Sequence, residues 1–191
     1  MAAHLEIAPT GRSKCRGCGR AIGKGERRIG DAFASPFADG VETTHWYHAR
    51  CAAYKRPEVL LEAFAGTGPP ADAAADAALA ASARLGTAHR RLPRIDGAER
   101  APTGRATCRL CKQKIDAKSW RIRLVIFDVG RFEPSGTVHA GCAAGYFGCS
   151  DLAELMARAR HFAPSLGDGD AGELAAALAA GAPPAPPASR A

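Results

Sequence analysis

Aromatic side chains are scarce here: they make up 6% of 191 residues, and much of the 47% hydrophobic content is alanine. Large apolar residues are confined to roughly 22–64 and 115–162. The core-forming residues therefore fall into two units of about 60 residues, a size at which apolar burial alone gives marginal stability. No run of 18 apolar residues is present, which excludes a transmembrane helix of ordinary length and predicts no membrane partner. The opening MAAHLEIAPT has no basic stretch followed by an apolar one, so it does not read as a secretory signal. Nucleophile-elbow, phosphate-loop and H-E-x-x-H motifs are missing, as are paired carboxylates that would share a cleft, so an enzyme is the class least supported. Acidic residues are outnumbered by 26 lysines and arginines to 19, for a formal charge of +7.

What the chain does have is cysteine in a pattern. Seven cysteines stand at 15, 18, 51, 108, 111, 142 and 149. An odd count without an export signal argues against a disulfide framework. Cys15 and Cys18 form C-x2-C, and His48 and Cys51 form H-x2-C further on; Cys108, Cys111, His139 and Cys142 repeat the arrangement. Three thiolates and one imidazole are the ligand mix of a closed tetrahedral zinc site, and four protein ligands leave no open position for catalysis. Two structural zinc ions are expected. Cys149 lies outside both sets and reads as a small apolar packing residue.

The duplication is wider than the ligands. Ala-Pro-Thr-Gly-Arg occurs at 8–12 and again at 101–105, an offset shared with Cys15 and Cys108. The segment beginning at Ile22 parallels the one beginning at Ile115. The fold class predicted is a pair of small α+β zinc-stabilised modules: two tandem Cys3His fingers, each a short antiparallel sheet with a C-terminal helix. Strands are predicted over 27–34 and 121–127, polar loops over 35–44 and 128–136, and helical segments near 49–64 and 140–160. Within the last, Leu152, Leu155 and Met156 share one helical face. Trp46 and Tyr47 alternate just before His48 and should point to opposite faces of a strand. The domain reading is a first finger over 1–66, an Ala/Arg-rich, partly helical linker over 67–100, a divergent second finger over 101–165, and a disordered Gly/Ala/Pro-rich tail over 166–191.

The run T-G-R-x-x-C-R-x-C, the segment K-G-E-R-R-I and the stretch W-Y-H-x-x-C resemble the zinc finger of poly(ADP-ribose) polymerases, also found in DNA ligase III. The first module resembles it over about 6–64 and the second over about 100–147, where Gly-Thr-Val-His replaces the Trp-Tyr-His run. The resemblance implies a Cys3His zinc fold that recognises DNA strand breaks by structure rather than sequence. It implies no catalytic domain, since nothing in the chain resembles the family's transferase or ligase core. It places Arg12 and Arg105 near the DNA backbone and Arg28 and Arg121 on the DNA-facing side of the sheet. In the loop before the ligand histidine it implies an apolar residue that stacks on an exposed base pair: Phe37 or Val41 in the first module, Val129 or Phe132 in the second.

Charge agrees with that expectation only in part. Residues 1–66 carry +3 and residues 101–165 carry +5. Each zinc with three thiolates leaves a net negative charge, which brings the protein to about +5. Such a balance gives salt-sensitive attraction to phosphate without tight binding. The alternative readings are a zinc-stabilised protein-interaction module, with linker or tail as docking segments, and a zinc- or redox-responsive regulator; oligomeric state is not indicated. The Ala, Arg, Gly and Pro abundance points to a GC-rich bacterial genome and a cytoplasmic, nucleoid location; a eukaryotic origin would imply the nucleus.

Overall fold

A computed structural model describes residues 3–34, 42–66 and 72–181. The chain divides into two units, one of residues 1–93 with 126–133 and one of 94–125 with 134–191. The first contains strands β1 (His4–Ile7), β2 (Arg27–Ala34) and β3 (Glu42–His48), then helices α1 (Ala49–Lys55), α2 (Pro57–Ala65) and α3 (Ala73–Ala88). The second module runs through β4 (Ile95–Arg100), β5 (Trp120–Asp128), β6 (Arg131–His139), a single 3-10 turn at Ala140–Cys142, then α4 (Ala143–Phe147), α5 (Leu152–His161) and α6 (Asp168–Ala179). Sheet order is β1-β2-β3 in one and β4-β5-β6 in the other, with β2 and β5 central.

β2 and β5 lie where alternation predicts them, and Ile29 and Ile122 at equivalent positions are 0% and 1% exposed. Ile22 and Ile115, also equivalent, are both 0% exposed beneath the ligand-bearing turns. The helical segment of the first module is broken at Arg56, because Pro57 cannot donate a backbone hydrogen bond and starts a new helix at its first position. In the second module Gly148, with φ of 65°, ends α4 in the left-handed conformation, and Asp151 caps α5 by accepting from Glu154 N–H at 3.0 Å. Leu155 is buried there, while Leu152 stays 37% exposed.

Three expectations change. The loop predicted over 128–136 is mostly strand: β5 and β6 are joined by a tight turn through Val129 and Gly130, both with positive φ. Pro134 is accommodated because β6 is the edge strand of its sheet, whose outer side is bridged only further along, at Thr137 to Cys108. Residues 95–100, placed in the linker, form β4, which pairs antiparallel with β5 across a bulge between Ile95 and Ala98. Gly97 sits in that bulge at φ of +107°, where a Cβ would come within 2.6 Å of Phe162 O. The tail is helical over Asp168–Ala179, because Ala171, Leu174 and Leu178 recur at helical spacing and bury one face. Residues 182–191, the rest of that tail, lie outside the described residues, as do Phe37 and Val41.

Candidate metal centre

Each ligand set is assembled from the same three elements. A turn supplies the first two cysteines, the end of the third strand supplies histidine, and the following turn of helix supplies the last cysteine. The turn closes through Gly19 N–H to Cys15 O at 2.8 Å, and in the second module through Lys112 N–H to Cys108 O at 3.1 Å. Isolated bridges Lys14–Ala21 and Thr107–Lys114 seal the base of each turn. Lys55, 4% exposed, supports the first turn from below by donating from Nζ to Gly17 O at 3.0 Å.

The four donor atoms of Cys15, Cys18, His48 and Cys51 lie within 4.8 Å of one another, and so do those of Cys108, Cys111, His139 and Cys142. His48 Nδ1 is 3.5 Å from Cys18 Sγ and 3.8 Å from Cys51 Sγ. His139 Nδ1 is 3.4 Å from Cys111 Sγ and 3.8 Å from Cys142 Sγ. A tetrahedral ion with bonds near 2.0–2.3 Å requires ligand separations of about 3.5–3.8 Å. In both histidines the other nitrogen, Nε2, is 3.1 Å from a backbone carbonyl, Ala21 O or Lys114 O. That carbonyl accepts a hydrogen bond from Nε2–H and leaves the Nδ1 lone pair aimed at the sulfurs, the outer-shell contact a metal-bound imidazole needs. The residues fit a zinc ion at each site, held for structure.

Hydrogen bonding from the Cys51 thiol holds Cys15 down to about 6 and Cys18 down to about 3, with Arg20 Nε adding a contact to Cys18 at 3.5 Å. Cys51 is correspondingly pushed up, because two neighbouring thiolates accept hydrogen bonds from its S–H and hold the proton on it. In the second site burial raises Cys108, yet backbone N–H groups of Cys111, His139 and Leu110 outweigh it and bring the thiol to about 7. Cys142 is pushed up by burial and by the sulfurs beside it. An ion entering either site displaces the retained proton.

The residues expected to face DNA are placed differently from one another. Arg12 and Arg105 are exposed at the entrance to each turn. Arg28 is only 6% exposed: Nε donates to Glu6 Oε1 at 2.9 Å, and the guanidinium lies 3.6 Å over the Trp46 ring. Arg121 makes the same pair with Glu99, Nε to Oε1 at 2.9 Å. These arginines tie the central strand to the first strand, and their charge is spent within the sheet. Trp46 and Tyr47 do take opposite faces, with Tyr47 0% exposed against the ligand turn. Val129 stands at the apex of the β5–β6 turn, 75% exposed with φ of 42°. Phe132 is half-buried, tilted against Phe127 at 5.0 Å between ring centres.

What the sequence reading missed, beyond Arg12 and Arg105, is the rest of the basic rim of the ligand turns. Arg12, Lys14, Arg16, Arg20 and Lys24 are all exposed, and so are Arg105, Arg109, Lys112, Lys114 and Lys118. The signal was available, since all ten fall within about ten residues of a C-x2-C pair.

Residues 6–67 match the family model of the poly(ADP-ribose) polymerase and DNA-ligase zinc-finger region. The chain is also similar to a poly [ADP-ribose] polymerase of Drosophila melanogaster, 30% identical over 135 residues, covering 64% of this chain and 14% of that protein. The match thus spans about one seventh of the relative's length. With its four ligands in place, the segment 6–67 is a zinc finger of the poly(ADP-ribose) polymerase and DNA-ligase type, followed in the same chain by a second Cys3His module of like architecture.

Proposed function

We propose that the chain binds DNA through these zinc modules and recognises strand breaks by structure rather than sequence, in repair or damage sensing. The finger type and the polymerase relative support this reading. The observation that carries it furthest is a pair of backbone positions. Gly19, closing the first ligand turn, and Gly25, in the next turn before β2, adopt φ of 74° and 86°; Lys112 and Lys118, their equivalents, hold φ of 63° and 67°. The left-handed conformation disfavours side-chain-bearing residues by roughly 1–2 kcal/mol. The second module bears that cost twice, and at both places gains an exposed cation. Backbone strain of this kind gathers at ligand clamps and active sites, which supports a binding role for these two turns.

The proposed mechanism divides the work. Exposed cations around the ligand turns contact phosphate and fix the module on the backbone. An apolar side chain on a turn covers the base-pair face that a break uncovers; Val129 is the described candidate, with Phe37 and Val41 retained for the first module. The protein would accordingly work where the DNA is, in the nucleoid of a bacterium or the nucleus of a eukaryote.

Replacing both lysines, Lys112→Gly with Lys118→Gly, tests the reading through two quantities of opposite sign. The dependence of log K on log salt should lose about 2 in slope, close to 0.9 per phosphate contact. Thermal stability should hold or rise, by up to about 1 kcal/mol per position, as the left-handed strain is relieved. An unchanged salt slope on nicked duplex would remove these lysines from the DNA surface.

A further inference from the structure

The two copies share more than strands and ligands. Each runs strand-strand-strand and then a series of helices, from His4 to the end of α3 at Ala88 and from Ile95 to the end of α6 at Ala179. The ends are offset by 91 residues, the offset of the closing His and Cys ligands, while β4 spans the equivalents of β1 at the offset of the first two cysteines and begins two residues earlier. The last helix of each copy is therefore part of the repeated unit, although the family match ends at residue 67, before α3 begins.

In the first copy, α3 packs on both α1 and α2. α1 has seven residues and carries Cys51; Cys51 through Lys55 are all buried. A helix that short does not persist by itself and takes its stability from what covers it. α3 is in turn fastened to the sheet. Arg27 of β2 meets Asp76 in a two-pronged pair, Nη1 to Oδ1 at 2.7 Å and Nη2 to Oδ2 at 2.8 Å, with the Asp76 side chain 9% exposed.

In the second copy the fastening is rebuilt from other residues. Ile7 pairs with Arg27 across β1 and β2; Arg100 pairs with Trp120 at the equivalent place across β4 and β5. The arginine has crossed to the neighbouring strand of the same register pair. The carboxylate has shifted with it: Arg100 contacts Glu173, and Asp170 at 3.7 Å, in the first turns of α6. Here the partners are 41%, 60% and 49% exposed, so the second fastening is hydrated and weaker. α6 packs on the turn that carries Cys142, where a Cβ at Gly141 would overlap Gly181 O.

We propose that the last helix of each copy is a clamp on the zinc site, holding the segment that delivers the closing cysteine. Arg27 with Asp76 is the positioning pair that locks the clamp in the first module, and Arg100 with Glu173 and Asp170 its looser counterpart. This inference is independent of DNA binding.

The test is zinc release from the full-length, two-zinc protein to a chromophoric chelator, with hydrogen exchange of residues 49–65 and 140–147 identifying the site. Asp76→Ala should speed loss of one zinc equivalent by about tenfold or more, the scale expected when one partner of a largely buried pair is removed. The other equivalent should leave at the wild-type rate. Asp76→Ala with Arg27→Met should release no faster than Asp76→Ala, since both act through one contact. Arg100→Ala should quicken the second site by less than about threefold. Equal acceleration of both sites, additive effects of the two changes, or wild-type release from Asp76→Ala would each overturn the clamp.

Discussion

Removing zinc with a strong chelator is expected to unfold both modules, with loss of far-ultraviolet ellipticity tracking the release of two metal equivalents. The apolar cores are too small to stand alone. In the first module the large, fully buried side chains include Ile22, Ile29, Tyr47 and Leu60. Structural zinc contributes about 10–16 kcal/mol of apparent binding free energy at neutral pH. Net stability of a small domain is about 5–15 kcal/mol. The metal is therefore comparable to the whole margin by which the fold exists. Without it, the clustered thiolates around Cys15, Cys18 and Cys51 repel one another and share a single proton where a divalent cation belongs. Cys51→Ser and Cys142→Ser should each abolish one site, leaving one equivalent per chain. A metal-free protein with native ellipticity would show that the sulfurs are incidental to the fold.

The second large effect concerns Arg28. Arg28→Ala is expected to destabilise the first unit by about 2–4 kcal/mol: it leaves the Glu6 carboxylate without its partner in a part-buried setting and removes a cation from the Trp46 face. Glu6 is 38% exposed and recovers some hydration, which keeps the loss below that of a fully buried pair. Below the melting temperature, with zinc saturating, the salt slope of DNA binding should match the parent protein. Arg12→Ala should do the opposite, leaving stability alone and reducing the slope by about 1. Were Arg28→Ala to keep its melting temperature and lose slope, the guanidinium would be a phosphate contact after all.

These expectations show where the sequence was readable. Ligand spacing, the doubled module and the central strands were legible because each depends on residues close in sequence or on simple alternation. The arginine–glutamate ties were not, because Glu6 and Arg28 meet only through the register of β1 on β2, and a four-residue strand such as β1 has too little pattern to announce itself. The clamp helices were hidden for a different reason. α3 buries Asp76, Ala80, Ala83 and Gly86, a face of small and charged residues that looks like linker composition. α6 did carry a signal, Ala171, Leu174 and Leu178 at helical spacing, overshadowed by the Gly/Ala/Pro-rich sequence around it. The duplicated offset of 91 would have found both, had it been followed past the last cysteine.

The most direct test of the account compares binding of the two-zinc protein to one circular DNA in two forms, covalently closed and relaxed or nicked once. Stacking on an uncovered base pair is worth about 1–3 kcal/mol, so the nicked circle should bind roughly 5- to 150-fold more tightly at the same salt. Equal affinity for the two circles would contradict break recognition and leave only a zinc-built surface with a general attraction to phosphate.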